Sequence, residues 1–463
     1  MKNFKLPNTF VLLFSLLALI ALVTWLVPGG QYDTQMINGR KVIDPSSFHF
    51  IDSRPQGLVA LMMAPIKGFV EAGLIIGFVL IVGGAFAVLH KTEAIDALIK
   101  SVARAHTHSA LVRMTIIPVF LTLFSMGGAT FGMAEEAIPF VLIFIPLALA
   151  LKYDTVVGVS IPFIGSQVGF ATAFLNPFNV GVAQGIAGVP LFSGIGYRFI
   201  CWVIATSVTI AFLMWYAARI KRHPELSPTF AMDEIKRSEL RLEEFERFTG
   251  MRGTHKLVLL TFVLTLATMI FGVVRFSWYI EEIAALFLVM AIVVGVVGRL
   301  SADEFIAAFM QGARDLVNTA LVIALAKGTV IIARDAHIID TVLYWLTPFV
   351  QSTSPVLAAQ KMFLIQSVIN FFIHSGTGQA ALTMPIMAPL ADLVGVSRQT
   401  AILAFQLGEL TTPMIPTSGV TVGVLALAGI PWAQWARWMV PLQLMYLVMA
   451  LALLAVPAMS NWP

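Results

Sequence analysis

Apolar runs recur along almost the whole chain, and most have the length of a full bilayer crossing at about 1.5 Å of rise per residue. Phe10 to Val27, Ala72 to Leu89, Phe192 to Tyr216, Leu257 to Val273 and Ile283 to Val297 are of this kind. Two runs are different. Leu111 to Phe124 and Ile138 to Leu151 each reach only about half a crossing, and between them lies Ser125 to Pro139, SMGGATFGMAEEAIP. This pattern predicts a re-entrant hairpin over 111–151 with a glycine-rich tip. Arg113 and Lys152 at its two ends place both arms on one side. Thr155 to Ala187 reads as one crossing, overlong and interrupted by FLNPFN, Phe174 to Asn179. Non-helical backbone at membrane depth survives only where protein or a watery cavity satisfies it, so these breaks should line a cavity.

The pattern then repeats. Gly57 to Glu71 matches Ser301 to Asp315. Gly68 pairs with Gly312 and Asp96 with Asp340 at a spacing of 244, Gly132 and Pro139 with Gly378 and Pro385 at 246, and Gly188-Val-Pro with Gly429-Ile-Pro at 241. A spacing that drifts so little indicates an internal repeat. The second copy carries its own hairpin, about 356–390, with the tip His374 to Gln379. It also has its own broken helix, 401–428, interrupted from Glu409 to Ser418. Counting crossings, the second copy starts on the opposite side from the first, so the repeats are expected to be inverted. The expected fold is an all-α polytopic membrane protein. Residues 1–56 form a first helix and external loop, 57–220 the first repeat, 221–256 a cytoplasmic linker, and 257–463 a helical pair and the second repeat.

Composition sharpens this. With 463 residues, 58% hydrophobic and 12% charged, a soluble globular fold is excluded. The segment 221–256 carries eight Lys and Arg against three in 29–55, which places the linker in the cytoplasm and the first loop outside, with the N-terminus inside. The linker's seven acids beside its eight bases suggest a solvated amphipathic helix. The net charge of +4 sits in connecting loops and gives no reason to expect nucleic acid. The apolar run after MKNFK is longer than a signal core and is read as a retained helix. The one cysteine, Cys201, excludes an intramolecular disulfide and reads as a small buried residue. Pro118, Pro146 and Pro389 read as helix kinks, and Trp432, Trp435 and Trp438 as an interfacial belt.

The candidate chemistry lies at the breaks. A carboxylate inside a bilayer costs about 2.5–3.5 kcal/mol, so Glu135, Glu136 and Glu409 are candidate ligands, faced by the single Lys327. The alternative for each glutamate is protonation, or pairing with Lys327 to hold helices together. Lys327 reads equally as a structural counter-ion or a substrate contact, and His374 as a packing residue or a proton carrier. No HExxH, Walker loop or GxSxG is present and no metal-ligand spacing is found, which argues against an enzyme. Inverted repeats with hairpins and discontinuous helices point instead to an alternating-access carrier. A channel remains the other transport class.

The segments GGATFGMAEEAIPF, HSGTGQAALTMPIMAPL, NPFNVGVAQGIAG and TTPMIPTSGVTVGVLALAGIPW resemble the YfcC/DcuC family of membrane carriers over nearly the whole chain. The N-terminal LPNTFVLLF is similar to the YfcC branch in particular. The resemblance implies a bacterial inner-membrane carrier whose scaffold domain forms a homodimer and whose transport domain, holding both hairpins, moves like an elevator. It also implies that small polar residues at the tips and breaks bind substrate. Here these are Ser125, Gly128, Thr130, Ser375, Gly376, Thr377 and Gln379 at the tips, and Asn176, Asn179, Thr412, Thr417 and Ser418 at the breaks, beside the three glutamates. No resident cofactor is expected. Na+ or H+ is the candidate coupling ion, with Gly127, Asn176, Gly376 and Thr417 as candidate Na+ ligands. The family name suggests a C4-dicarboxylate, whereas three acids against one base suit a cationic amino acid such as arginine or ornithine, which agrees with the exchange activity associated with the YfcC branch.

Overall fold

Each long apolar run is helical in the computed structural model, which describes residues 9–37, 40–43, 47–239, 250–276, 278, 280–350, 354–460 and 462. The helices in order are α1 (Thr9–Val23), α2 (Leu58–Glu71), α3 (Gly73–Lys91), α4 (Ala94–His108), α5 (Ala110–Phe131), α6 (Val141–Ala150), α7 (Thr155–Ala171), α8 (Val182–Ala187), α9 (Ile195–Arg222) and α10 (Phe230–Glu239). After the linker come α11 (Gly253–Phe276), α12 (Ile280–Val297), α13 (Ala302–Asp315), α14 (Val317–Asp335), α15 (Ile338–Leu346), α16 (Pro355–Asn370), α17 (Gly376–Leu393), α18 (Arg398–Gly408), α19 (Gly419–Ala428) and α20 (Trp432–Ser460). Two short antiparallel strand pairs form in the loop after α1: the pair 30–31/49–50 docks on α15, where the Phe48 ring stacks on Tyr344 with centroids 3.9 Å apart, and in the pair 34–37/40–43 the second strand contacts α17.

Among the described residues six helical stretches are long and apolar enough to cross a membrane, and shorter apolar helices include Met114–Thr130, Thr155–Ala171 and Leu382–Leu393. The short ones are arms of the predicted hairpins and half of a broken crossing. Large apolar side chains such as Leu257, Val263 and Phe271 on α11 and Val289, Ile292 and Val296 on α12 lie exposed, as lipid-facing walls require.

Local chemistry sets where the helices stop. Asp154, Ser354, Ser397 and Ser418 each cap a following helix by accepting a backbone N–H, and Pro355 stands at the first position of α16. Gly132, at φ +83°, ends α5 in the left-handed conformation, with its N–H bonded to Gly127 O. Left-handed residues also occur in matching places in the two halves of the chain. Glu93 and His337 precede α4 and α15, Lys152 and Gly395 precede α7 and α18, and Gly188 and Gly429 follow α8 and α19.

Two interlocked bundles result. One packs α1 and α2 on α14, α13 on α3, and α3 on α12; the other packs α5, α6 and α9 on α7, and α16 on both α18 and α20. Close helix crossings hold each. A Cβ on Gly169 would lie 1.9 Å from Ser125 O, and one on Gly128 would lie 2.1 Å from Ser166 O, so α5 and α7 touch backbone to backbone. In the other bundle Gly68 lies against Ala324 O, and Gly312 against Gly83 O.

Three expectations change. The tip of the first hairpin is not at Ser125: α5 continues through Phe131, because glycine is tolerated in membrane helices and Gly128 is used for the α7 contact. The break falls at Gly132–Ala134, followed by a 3₁₀ turn, Glu135–Phe140. The linker is not merely solvated, since α10 is fastened to the second bundle. Asp233 is 1% exposed and accepts Thr155 N at 3.0 Å, and Lys236 Nζ donates to Ala428 O at 2.8 Å; residues 240–249 of the linker lie outside the described residues. The tryptophans are not a belt. Trp435 is fully buried, its Nε1 donating to Pro413 O at 2.7 Å, and Trp432 Nε1 donates to Met414 O at 3.0 Å.

The α5/α7 crossing leaves no room for a methyl group, so Gly169→Ala should sharply reduce folded yield and thermal stability in detergent. Gly77→Ala, whose Cβ would meet nothing within 4 Å, should behave as the native chain. Size-exclusion profiles and melting curves of the two variants check this.

Candidate functional site

The breaks converge on one cavity of about 500 Å3, within the size range of small-molecule sites. Its wall is contributed by Gly132, Ala134 and Glu135 from the first hairpin, Gln167, Phe170 and Phe178 from the first broken helix, and Phe372 to Thr377 from the second hairpin. Glu409, Thr412 and Thr417 to Val420 come from the second broken helix, and Ala72, Ile75, Ile323, Lys327 and Val330 from the other bundle. The N-termini of α17 and α19 open into it, at Ser375-Gly376 and Ser418-Gly419. Their unshared N–H groups and partial positive charge suit a carboxylate.

Glu409 ends α18 at the second break and is 3% exposed. Its Oε2 accepts from Asn179 Nδ2, which ties the two broken helices together, while Oε1 has no protein partner and lies 3.1 Å from where a Cβ on Gly376 would be. Among the described residues no lysine or arginine pairs with it. Asn179 Nδ2 also donates to Phe170 O at 3.2 Å, and Asn179 Oδ1 is likewise buried without a partner. Thr377 Oγ1 donates to Phe178 O at 2.8 Å and closes the second hairpin onto the first broken helix.

Of the residues singled out from sequence, Glu135, Ser375, Gly376, Thr377, Glu409, Thr412, Thr417 and Ser418 line the cavity. Others hold the frame around it. Asn176 Oδ1 accepts from Phe178 N and Asn179 N, and its Nδ2 donates to Gly128 O at 3.3 Å. Gln379 Nε2 donates to Gln366 Oε1 at 2.8 Å, Thr417 Oγ1 to Phe371 O at 2.5 Å, and Asn370 Nδ2 to Thr412 Oγ1 at 2.9 Å. Ser125 is fully buried, sharing a 2.8 Å bond with Thr206 Oγ1 and accepting Trp202 Nε1 at 2.8 Å, so it is a helix-packing residue. Thr130 Oγ1 bonds back to Met126 O. The adjacent glutamates diverge: Glu135 reaches the cavity, whereas Glu136 turns back and accepts Ala134 N at 2.9 Å. As candidate Na+ ligands, Gly127 O is taken by the cap of α5 and Asn176 and Thr417 by the bonds above, and of the four Gly376 and Thr417 line the cavity. Among the described residues no group of three His, Cys, Asp or Glu is placed to hold a metal ion.

Sequence reasoning missed Gln167 and Glu71. Gln167 is a lone amide inside an otherwise apolar half-helix, a signal that was present. Glu71 lies at the end of α2 and takes Lys327 as partner, with Nζ 3.1 Å from Oε1, so Lys327 pairs with neither Glu136 nor Glu409.

A family model described as "C4-dicarboxylate anaerobic carrier", DcuC, matches residues 6–458. The chain belongs to this family of carriers. It is 36% identical over 480 residues, 94% of this chain and 93% of the relative, to YfcC of Escherichia coli (strain K12), provisionally named a basic amino acid antiporter. It is 26% identical, over 95% of its own length and 94% of the relative, to a Haemophilus influenzae protein whose name states no activity. Among solved structures it is similar to Neisseria gonorrhoeae MtrF, described with a class of antimetabolite efflux pumps. That match has a TM-score of 0.43 and 16% identity, covering 98% of this chain and 95% of the other. It is also similar to the Alcanivorax borkumensis YdaH transporter, with a TM-score of 0.43 and 14% identity over 99% of each. The family is one of carriers, not enzymes, and this chain is a multi-pass membrane transporter of the DcuC/YfcC type.

The placement of the first tip can be tested by thiol labelling, since native Cys201 is fully buried. Ser375→Cys, exposed at the cavity, should react with a water-soluble maleimide in the folded protein, and Ser125→Cys should stay unlabelled until the protein is denatured.

Proposed function

We propose that this carrier exchanges or imports a basic amino acid of the arginine or ornithine type. The observation that carries the reading is the Glu409 carboxylate, buried at a cavity wall with one oxygen unpartnered and, among the described residues, no lysine or arginine paired with it. Such a group calls for a cation from the ligand or a proton. The side-chain cation of the substrate meets Glu409 and Glu135, and its α-carboxylate meets the N-termini of α17 and α19 with the Ser375, Thr377 and Ser418 hydroxyls. The name of the Escherichia coli relative agrees with this substrate class.

Transport proceeds by alternating access. The matching order of elements and left-handed residues in the two halves supports inverted repeats. The cavity at the seam where two helix bundles meet, touching through α14 and α19, supports an elevator, with the hairpin bundle moving against a scaffold that dimerises in the bacterial inner membrane. Na+ or H+ serves as the coupling ion.

A second reading, cation-coupled C4-dicarboxylate transport, is favoured by the description of the family model and by two helix N-termini at one cavity. Uptake of labelled arginine and labelled succinate into proteoliposomes separates the two. Succinate uptake that unlabelled arginine leaves unchanged would overturn the first reading, and acceleration of arginine entry by unlabelled arginine inside excludes a channel. Glu409→Gln should lower arginine transport at least about 30-fold, the equivalent of about 2 kcal/mol for removing one partner of a buried charge pair, at normal expression.

A further inference from the structure

Lys327 is the one lysine or arginine among the described cavity-lining residues, and it is already engaged. Its Nζ lies 3.1 Å from Glu71 Oε1, and Glu71 also accepts two N–H bonds from Arg334, at 2.9 Å to Oε1 and 2.7 Å to Oε2. Arg334 in turn lies 3.8 Å from Asp335, whose Oδ2 pairs with Lys67 at 2.7 Å. The helix crossing fixes this meeting. Gly68 brings α2 so close to α14 that a Cβ there would lie 2.0 Å from Ala324 O and 2.7 Å from Gly328 N. One turn beyond Gly68 stands Glu71, and one residue before Gly328 stands Lys327. Their side chains keep 32% and 34% of their exposure, so the pair faces an accessible space rather than a packed core. Ala72 and Ile75 carry the same helix edge on into the cavity wall.

Without Glu71, the wall would hold a free ammonium opposite Glu135 and Glu409, and an anion could bind to it. With Glu71, that ammonium is engaged in an ion pair whose carboxylate it shares with Arg334, and the unpaired charges left on the wall are the two carboxylates. We propose that Glu71 determines specificity: by occupying Lys327 it keeps the cavity acidic, admitting a cationic amino acid and rejecting a dicarboxylate. This rests on the substrate class proposed above and names the residue that enforces it. A dianion entering the native cavity would have to pull Lys327 away from Glu71 and leave a third carboxylate beside its own two, in a setting where like charges repel strongly.

The test is equilibrium binding of labelled succinate to the purified full-length chain, with arginine uptake in proteoliposomes run in parallel. Glu71→Gln should tighten succinate binding at least about tenfold, and the double variant with Lys327→Gln should return it to the native level. Glu71→Asp keeps a carboxylate near Arg334 but draws it back from Lys327, and should give a smaller gain; it serves if the first variant fails to fold. A folded Glu71→Gln or Glu71→Asp protein that binds succinate no better than the native chain overturns the inference. So does a native chain that already binds succinate as tightly as the variants. Native protein that transports no arginine would sink the proposed function instead, and leaves the succinate comparison readable.

Discussion

Backbone without partners cannot exist inside lipid, and each part of the hairpin bundle answers to that constraint. Two helices stop halfway, at 172–181 and 409–418, and the groups set free there are bound by other helices. Phe174 N and Leu175 N both reach Ala129 O at the end of α5, and Gln406 on α18 donates to Ala173 O at 2.9 Å. At the second break, Trp432 and Trp435 of α20 donate to Met414 O and Pro413 O, and Thr421 Oγ1 donates to Thr412 O at 2.7 Å. Each break is therefore braced by an element remote in sequence. That bracing makes two weak points into a rigid floor for the cavity.

The bracing also uses up much of the buried polar chemistry. Asn176 and Thr417 are buried and bonded to backbone groups, while Gln379 and Gln406 donate through Nε2 to Gln366 and to Ala173 O, their Oε1 atoms staying without a partner. Among the described residues, what remains unspent at the cavity includes one oxygen of Glu409, His374 Nδ1, the Gln167 amide, and the N-termini of α17 and α19. A ligand is read by what the fold has not already used. Polar residues chosen by type alone overcount the site, because most of them are structural in this setting.

The long apolar helices and the helix breaks near 132–140, 172–181, 371–375 and 409–418 were legible, since each leaves a mark in hydropathy, proline or glycine. Glu409, Ser375, Thr377 and Ser418 line the cavity because they sit beside these breaks. The misplaced first tip shows the limit. In SMGGATFG, glycine reads as a breaker, yet it is also the residue that permits α5 and α7 to touch, and only the presence of Ser166 O and Ser125 O against it decides between the two. Ser125 and Gly128 were placed wrongly for that one reason. Glu71 was illegible for another: its partner lies 256 residues away, and nothing local distinguishes it from an interfacial acid at a helix end.

The division of charge between the two bundles carries the remaining step. Glu135 and Glu409 belong to the hairpin bundle, whereas Lys327 and Glu71 belong to the α2/α14 crossing. A ligand held by helix N-termini and carboxylates of the first bundle touches the second mainly through apolar residues, Ala72, Ile75, Ile323 and Val330, and through a cation already neutralised. On the proposed elevator reading, strong electrostatic attachment on one side and mostly apolar contact on the other would let a bound ligand travel with one bundle past the other. A free ammonium on the second wall would bridge the seam, because an anion gripped from both sides resists any relative motion of the two by the full strength of the extra ion pair. On that reading, pairing Lys327 within its own bundle would serve movement as well as the selection proposed above.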